Sequence, residues 1–252
     1  MPVLCDLAIP SHALEGILER FDVAGCLSLS DAWPRGGEHW TFVTRLGAIV
    51  RHLPETVGAI KLTSGSTGTP RGVVVSSAAL AADEAQLALT MGLTAADRHV
   101  GAIPFSHSYG FSSVVMPALM RGALAIVPDE RSAMAPLAAA RDLEATFFPA
   151  VPAWLSCWVR LASPPPLPPS LRLLTSAGAP LAPETARAVR ERFGLPVQVF
   201  YGASECGGIA FDREGTAAEQ GTVGSPVEGV AIELDAETGR LRVRSAAARS
   251  CP

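Results

Sequence analysis

The sequence predicts an α/β protein: a mostly parallel sheet with helices on both faces, followed by the start of a small antiparallel β-subdomain. Three observations predict it. Hydrophobic residues make up 48% of the 252 residues and charged residues only 17%, the balance expected where strands are covered on both faces and read as continuous apolar runs. From Val57 onward short strand-like runs alternate with helix-like stretches. Beyond Asp212 the texture changes to closely spaced glycines and then to two short alternating runs. The expected division is an N-terminal segment 1–56 of undefined structure, an α/β core 57–212, and residues 213–252 opening a β-rich subdomain.

The elements follow in order. Ser11 is placed to cap a short helix through Phe21, whereas residues 26–55, with Trp33, Pro34, Gly36 and Gly37, show no clean period. An apolar run from Ala59 to Leu62 leads through a Gly/Ser/Thr loop to the strand-like run Val73 to Val75, and Ser76 or Ser77 caps an Ala-rich helix to about Met91. Next come a strand at Val100 to Ile103, a helix near Ser113 to Met120, a strand at Ala123 to Val127 and a helix near Ala133 to Leu143. The strand Ala145 to Phe148 precedes a helix carrying Trp154 and Trp158. The prolines of the stretch from Ser163 to Ser170 cannot donate ladder hydrogen bonds and make it a surface connection. A strand at Leu171 to Thr175, a helix at Pro183 to Phe193 closed by Gly194, and a strand at Val197 to Tyr201 form one further strand-helix-strand unit. Val230 to Leu234 and Leu241 to Arg244, joined by a turn at Glu237 to Gly239, read as antiparallel.

Bulk properties narrow the function. The formal charge of -4 and the scattered Lys and Arg provide no basic stripe for a phosphate backbone, which argues against a nucleic-acid partner. The five cysteines, Cys5, Cys26, Cys157, Cys206 and Cys251, are dispersed, odd in number and without a CxxC pair, so neither a disulfide framework nor a zinc site is expected. A reducing cytoplasm is the matching compartment. No basic-then-apolar leader opens the chain and no apolar run reaches membrane-spanning length, so neither secretion nor a membrane span is expected.

The strongest chemical feature is Leu62-Thr63-Ser64-Gly65-Ser66-Thr67-Gly68-Thr69-Pro70-Arg71-Gly72, directly after an apolar strand. Its glycines let backbone N–H groups turn toward anionic oxygens, its hydroxyls add donors, and Arg71 adds positive charge, which together suit a polyphosphate. It is neither a Walker A loop nor a GxGxxG pattern. Two further small-residue loops, Ser176-Ala177-Gly178-Ala179-Pro180 and Tyr201-Gly202-Ala203-Ser204-Glu205, each follow a strand and are separated by one helix. A parallel crossover brings both to the carboxyl edge of one sheet, where open α/β folds bind ligands. The first can lie flat on an adenine ring, Ser204 can bond an α-phosphate, and Glu205 can hold Mg²⁺.

At these residues the sequence resembles the acyl-adenylate-forming superfamily, which includes acyl- and aryl-CoA synthetases, luciferases and the adenylation domains of peptide synthetases. The resemblance covers about Ala59 to Arg244. The family's phosphate loop, usually ending Pro-Lys-Gly, is similar to Thr63 to Gly72 with Arg71 in place of lysine, a change that keeps charge but alters geometry. Ser176 to Pro180 resembles the adenine-contacting loop. Tyr201 to Glu205 resembles the Tyr-Gly-x-Thr-Glu motif with serine for threonine. Gly221-Thr222-Val223-Gly224-Ser225-Pro226 resembles the segment leading into the next β-subdomain. By this likeness Tyr201 stacks on adenine with Gly202 and Ala203 beside it, Ser204 contacts the α-phosphate, Glu205 binds magnesium, and Ser64, Gly65, Ser66, Thr67, Gly68, Thr69 and Gly72 cradle phosphates between Thr63 and Arg71. Phe105-Ser106-His107-Ser108-Tyr109-Gly110 resembles the motif at the carboxylate end of the acyl pocket in CoA ligases, which singles out His107. Amino-acid-activating relatives carry an aspartate just after the phenylalanine. Ser106 stands there, favouring a simple carboxylic acid.

The resemblance implies ATP and Mg²⁺ as cofactors, a carboxylic acid as substrate, coenzyme A as the thiol, and a place in fatty acid metabolism. Family members continue beyond the Leu241 to Arg244 strand to a ribose-binding aspartate, a hinge and a small C-terminal domain bearing a catalytic lysine, whereas this sequence ends at Pro252. The segment before the phosphate loop is also shorter than the family's. Two expectations follow: an AMP-forming acid–thiol ligase fragment, with a separately encoded C-terminal domain as a candidate partner, or a non-catalytic remnant that binds nucleotide or a partner. A serine hydrolase is disfavoured because the chain has no GxSxG elbow.

Overall fold

The computed structural model describes residues 25–29, 40–44, 56–63, 71–128 and 134–248. Two hairpins come first: β1 (Gly25–Leu29) pairs antiparallel with β2 (Trp40–Thr44), and β3 (Val57–Thr63) with β4 (Arg71–Ser76). The first hairpin lies where the sequence shows no clean period, because strand pairing rather than local pattern defines it. The expected helix from Ser11 to Phe21 falls outside the described residues. Helix α1 (Ser77–Met91) follows, with the Ser76 hydroxyl accepting the Ala79 N–H at 3.1 Å and Gly92 in the left-handed conformation at its end.

Five strands run parallel. β5 (Arg98–Val100), β6 (Leu124–Ile126), β7 (Phe147–Ala150), β8 (Leu173–Ser176) and β9 (Gln198–Ala203) lie in the order β6-β5-β7-β8-β9. β10 (Gly207–Phe211) and β11 (Ser225–Pro226) extend the sheet beyond β9 in antiparallel sense, making seven strands. Between β5 and β6 the chain is helical: α2 (Ser108–Gly110), a π-helical turn Phe111–Val115, and α3 (Met116–Arg121). The other crossovers are α4 (Ala135–Asp142), α5 (Pro152–Arg160) and α6 (Pro183–Phe193), and the short α7 (Ala217–Gln220) follows β10. A separate antiparallel hairpin, β12 (Ala231–Leu234) with β13 (Leu241–Arg244), comes last.

Alternation along the strands divides the core into two layers. Phe148 and Leu174 pack with Leu137 of α4, Leu155 and Trp158 of α5 and Val189 of α6. Their neighbours Phe147 and Leu173 point the other way and pack with Leu87 and Met91 of α1 and with Tyr109. The sheet is therefore covered on both faces, as the composition predicts.

Several boundaries shift by a residue or more, and two of the shifts have a visible cause. The strand expected at Val100 to Ile103 is Arg98–Val100, because polar His99 sits inside it, buried, with its Nδ1–H donated to the Ser113 carbonyl at 2.7 Å and its ring edge-on to Phe147. Burial holds the His99 imidazole below its ordinary pKa. The strand expected at Ala145 to Phe148 instead runs through Pro149 to Ala150, drawn into register with all four residues of β8.

Two buried carboxylates pin helix α1 to the sheet. At one pole, Asp97 accepts from the Thr94 N–H, the Thr146 hydroxyl at 2.7 Å and, in a fork, Arg172 Nε at 3.1 Å and Nη2 at 2.8 Å. Arg172 also donates to the Met91 and Gly92 carbonyls that end α1. Burial alone would raise the Asp97 carboxyl, but Arg172, the Thr146 hydroxyl and the Thr94 amide together hold it at about 2. Within α1 itself, Asp83, only 3% exposed, accepts from the Ser112 hydroxyl at 2.7 Å and the Gly208 N–H at 2.9 Å.

A depressed folded-state pKa stabilises above the ordinary carboxylate value and loses that contribution as pH falls toward the folded value. Unfolding midpoints measured in urea should therefore drop between about pH 4 and pH 2, and Asp97→Asn should flatten that part of the profile while lowering stability at neutral pH. Asp83→Ala, which strands a buried hydroxyl and a buried N–H, should cost about 3 kcal/mol in the same assay.

Candidate active site

The carboxyl ends of the parallel strands deliver their loops to one edge of the sheet, and a cavity of about 660 Å³ opens there. Residues Ala177, Gly178, Ala179 and Pro180, which follow β8, form one wall. Tyr201, Gly202, Ala203 and Ser204, from the end of β9, form the adjoining wall. His107, Ser108 and Tyr109 approach from the loop after β5, while Lys61 of β3, Ser112, Gly207 and Gly208 close the side next to α1. Ala218 and Gly221 to Val223, around the end of α7, contribute the remaining rim.

Local chemistry holds these groups in place. Gly110 allows the turn at His107 to fold back on itself, since a Cβ there would lie 2.4 Å from the Pro104 carbonyl oxygen. His107 caps α2, its Nδ1 accepting the Tyr109 N–H at 3.3 Å, so the neutral ring carries its proton on Nε2. Tyr109 is buried, bonds Thr175 Oγ1 at 2.8 Å and tilts against Phe200. That burial raises the phenol far above its usual range, so it serves only as a neutral hydroxyl. Gly207, at φ +69°, lies so close to the Asp83 carboxylate that a side chain would collide with it. The turn bearing Ser204 is thereby held against α1, and the Ser204 and Ser108 hydroxyls meet at 2.7 Å.

The structure brings together most of those residues predicted from sequence that are among the described ones. His107, Ala177, Gly178, Ala179, Pro180, Tyr201, Gly202, Ala203 and Ser204 all line the one cavity. Ser176 does not; it is buried within β8, and its hydroxyl has no hydrogen-bond partner among the described residues. Glu205 is exposed on the turn beside Ser204, outside the cavity wall. Tyr201 to Ala203 belong to β9 rather than to a loop after it, because β10 pairs back onto them. Thr63 and Arg71 face each other across the β3–β4 hairpin, Thr63 Oγ1 donating to the Arg71 carbonyl at 3.4 Å, and Gly72 follows in β4. Ser64, Gly65, Ser66, Thr67, Gly68 and Thr69, between them, lie outside the described residues.

Other residues that line or brace the cavity escaped the sequence reading. Lys61 was hidden in an otherwise apolar run, although a lysine in such a run is itself a signal. Asp83 sits in an Ala-rich helix, and Ser108 and Ser112 carry no pattern of their own. Among the described residues no cluster of His, Cys, Asp and Glu is suited to hold a metal ion without a ligand's help.

Comparison with known proteins agrees with this geometry. The profile of the family described as AMP-binding enzyme matches residues 16–246. An acyl-CoA synthetase of Alternaria alternata is 27% identical over 220 residues, covering 85% of this chain and 35% of the relative. A 4-coumarate–CoA ligase of Pinus taeda is 27% identical over 255 residues, covering 93% and 46%. The chain thus spans between about a third and a half of these relatives' length. The structure of O-succinylbenzoate coenzyme A synthetase from Bacillus subtilis in complex with ATP and a magnesium ion has the same fold, with a TM-score of 0.69 at 22% identity over 83% of this chain and 46% of that one. With cavity, strand order and profile in agreement, this chain belongs to the AMP-binding enzyme family of the acyl-adenylate-forming superfamily.

Proposed function

We propose that the chain forms the nucleotide-binding part of an AMP-forming acid–thiol ligase working in the cytoplasm, with residues 57–212 as its core and the segment from 213 as the start of a β-rich subdomain. The observation that carries this reading is the meeting of Ala177 to Pro180, Tyr201 to Ser204 and His107 on a single cavity. In it, adenine rests between Ala177 to Pro180 and the Tyr201 ring, the α-phosphate lies at Ser204, and Thr63 to Gly72 with Arg71 receives the β- and γ-phosphates. The acid enters beside His107. Its carboxylate oxygen attacks the α-phosphorus, pyrophosphate departs, and the acyl-adenylate carbonyl then takes the coenzyme A thiol as AMP leaves. The names of these two relatives, an acyl-CoA synthetase and a 4-coumarate–CoA ligase, support coenzyme A as the acceptor.

No side-chain nucleophile is needed, so catalysis is positional and electrostatic. In the Ser108–Ser204 pair one hydroxyl donates to the other, which leaves the second proton free for a phosphate oxygen. His107 offers Nε2–H to the reacting carboxylate or the developing adenylate. Mg²⁺ is commonly held by one or two carboxylates together with substrate phosphates, so the single exposed carboxylate of Glu205 next to Ser204 fits that role. When bound, the ion would neutralise phosphate charge. The lysine-bearing domain that relatives carry would be required for full turnover.

Radiolabelled pyrophosphate should exchange into ATP when the chain, supplied with a lysine-bearing C-terminal domain, is given a suitable carboxylic acid. Ser204→Ala should slow that exchange by roughly 10- to 100-fold. A folded preparation that binds neither ATP nor AMP by calorimetry would rule out the assignment.

A further inference from the structure

Lys61 has no role in the reaction just described, yet it is the one formally charged side chain on the cavity wall among the described residues. It is 6% exposed, and no hydrogen bond or ion pair joins it to another described residue. The aromatic face nearest to it is Phe111, whose ring centroid lies 6.0 Å from Nζ, a distant cation–π contact. The buried carboxylate closest to compensating it, Asp83, accepts its hydrogen bonds from Ser112 and Gly208 and makes none with Lys61. Burial pulls the Lys61 ammonium below its ordinary pKa, and Asp83 and Glu205 only push back against that. A buried ammonium without a partner is costly, and a ligand anion would relieve it.

Lys61 stands apart from the adenine wall, on the strand that leads into Thr63. Ser112 and Gly208, which share the cavity wall with it, are the residues bonded to Asp83 beneath the α1 side, whereas the adenine wall is built from Ala177 to Pro180 and Tyr201. Pairing with the attacking carboxylate would also be counterproductive, since a tight ion pair withdraws nucleophilicity from the oxygen that must reach phosphorus. We infer that the acyl substrate carries a second anionic group, a carboxylate or sulfonate remote from the reacting carboxyl, and that Lys61 pairs with it on the α1 side of the cavity. This deepens the ligase reading and rests on it. Lys61 acts as a specificity residue and takes no part in bond making.

The test is calorimetric. The chain is titrated, in the presence of AMP, with straight-chain dicarboxylic acids, ω-sulfo carboxylic acids and monocarboxylic acids of matched length. At least one doubly anionic acid should bind about tenfold or more tightly than its monoacid counterpart. Lys61→Met should abolish that preference while leaving AMP binding within about twofold of wild type, and Lys61→Arg should retain it. Equal affinity for diacids and monoacids in the unaltered chain overturns the inference even if neither variant folds. So does an equal loss for both classes in Lys61→Met, which would assign Lys61 to the reacting carboxylate. Failure of AMP itself to bind would count against the ligase reading, while the diacid preference would still be read separately from titrations without nucleotide.

Discussion

The Asp83 carboxylate is the constraint on which the cavity depends. Buried on the sheet-facing side of α1, it bonds the first π-helical turn through Ser112 and the β9–β10 turn through Gly208, two segments far apart in sequence. Gly207 packs directly over it, an approach that only a residue without a Cβ permits. Because the charge is shielded from water, its two hydrogen bonds are hard to replace and impose one position on each partner. The Ser108–Ser204 contact follows from that placement, since both hydroxyls sit on the segments Asp83 ties together.

The opposite pole of the sheet uses the same device for a different end. Asp97 and Arg172 join the end of α1 to the starts of β5, β7 and β8, where the loops carry no ligand chemistry. Rigidity at that edge leaves the carboxyl edge free to be built from small residues. Ala177, Gly178, Ala179, Gly202 and Ala203 offer backbone and flat surface, suited to a planar base, rather than side chains that would fill the space. Larger side chains, among them His107, Tyr109 and Tyr201, stand at the margins of these small residues, and Lys61 alone among the described lining residues carries a formal charge.

Much of this was legible in the sequence, and the parts that were not share a physical cause. Helix α1 from its serine cap to Met91, and α6 from Pro183 to Phe193 with Gly194 beyond, follow from local capping rules and were read correctly. The convergence of the Ala177 to Pro180 and Tyr201 to Ser204 segments followed from one parallel crossover. Strand limits at Arg98 and Ala150 were misjudged because a buried histidine and an internal proline obey pairing with neighbouring strands, which local pattern does not display. The β10 strand was missed for the same reason: Gly207 and Gly208 look like loop residues until β9 pairs with them. Asp83 and Lys61 were invisible as site residues because each stands alone in an ordinary helix or strand, and only the packing of distant elements sets Lys61 on the cavity wall and Asp83 behind it.

The proposed function implies a division of labour in which the sheet edge holds nucleotide, the α1 side receives the acyl group, and the two hydroxyls of Ser108 and Ser204 mark the junction where they would react. A crystal structure of the chain bound to a non-reactive acyl-adenylate analogue tests this most directly. The account predicts the adenine against Ala177 to Pro180 and the Tyr201 ring, with the phosphate surrogate within hydrogen-bond distance of Ser204 Oγ and the acyl group running toward Lys61. An analogue seated anywhere else on the protein, or in the cavity with its acyl group directed away from α1, would contradict it.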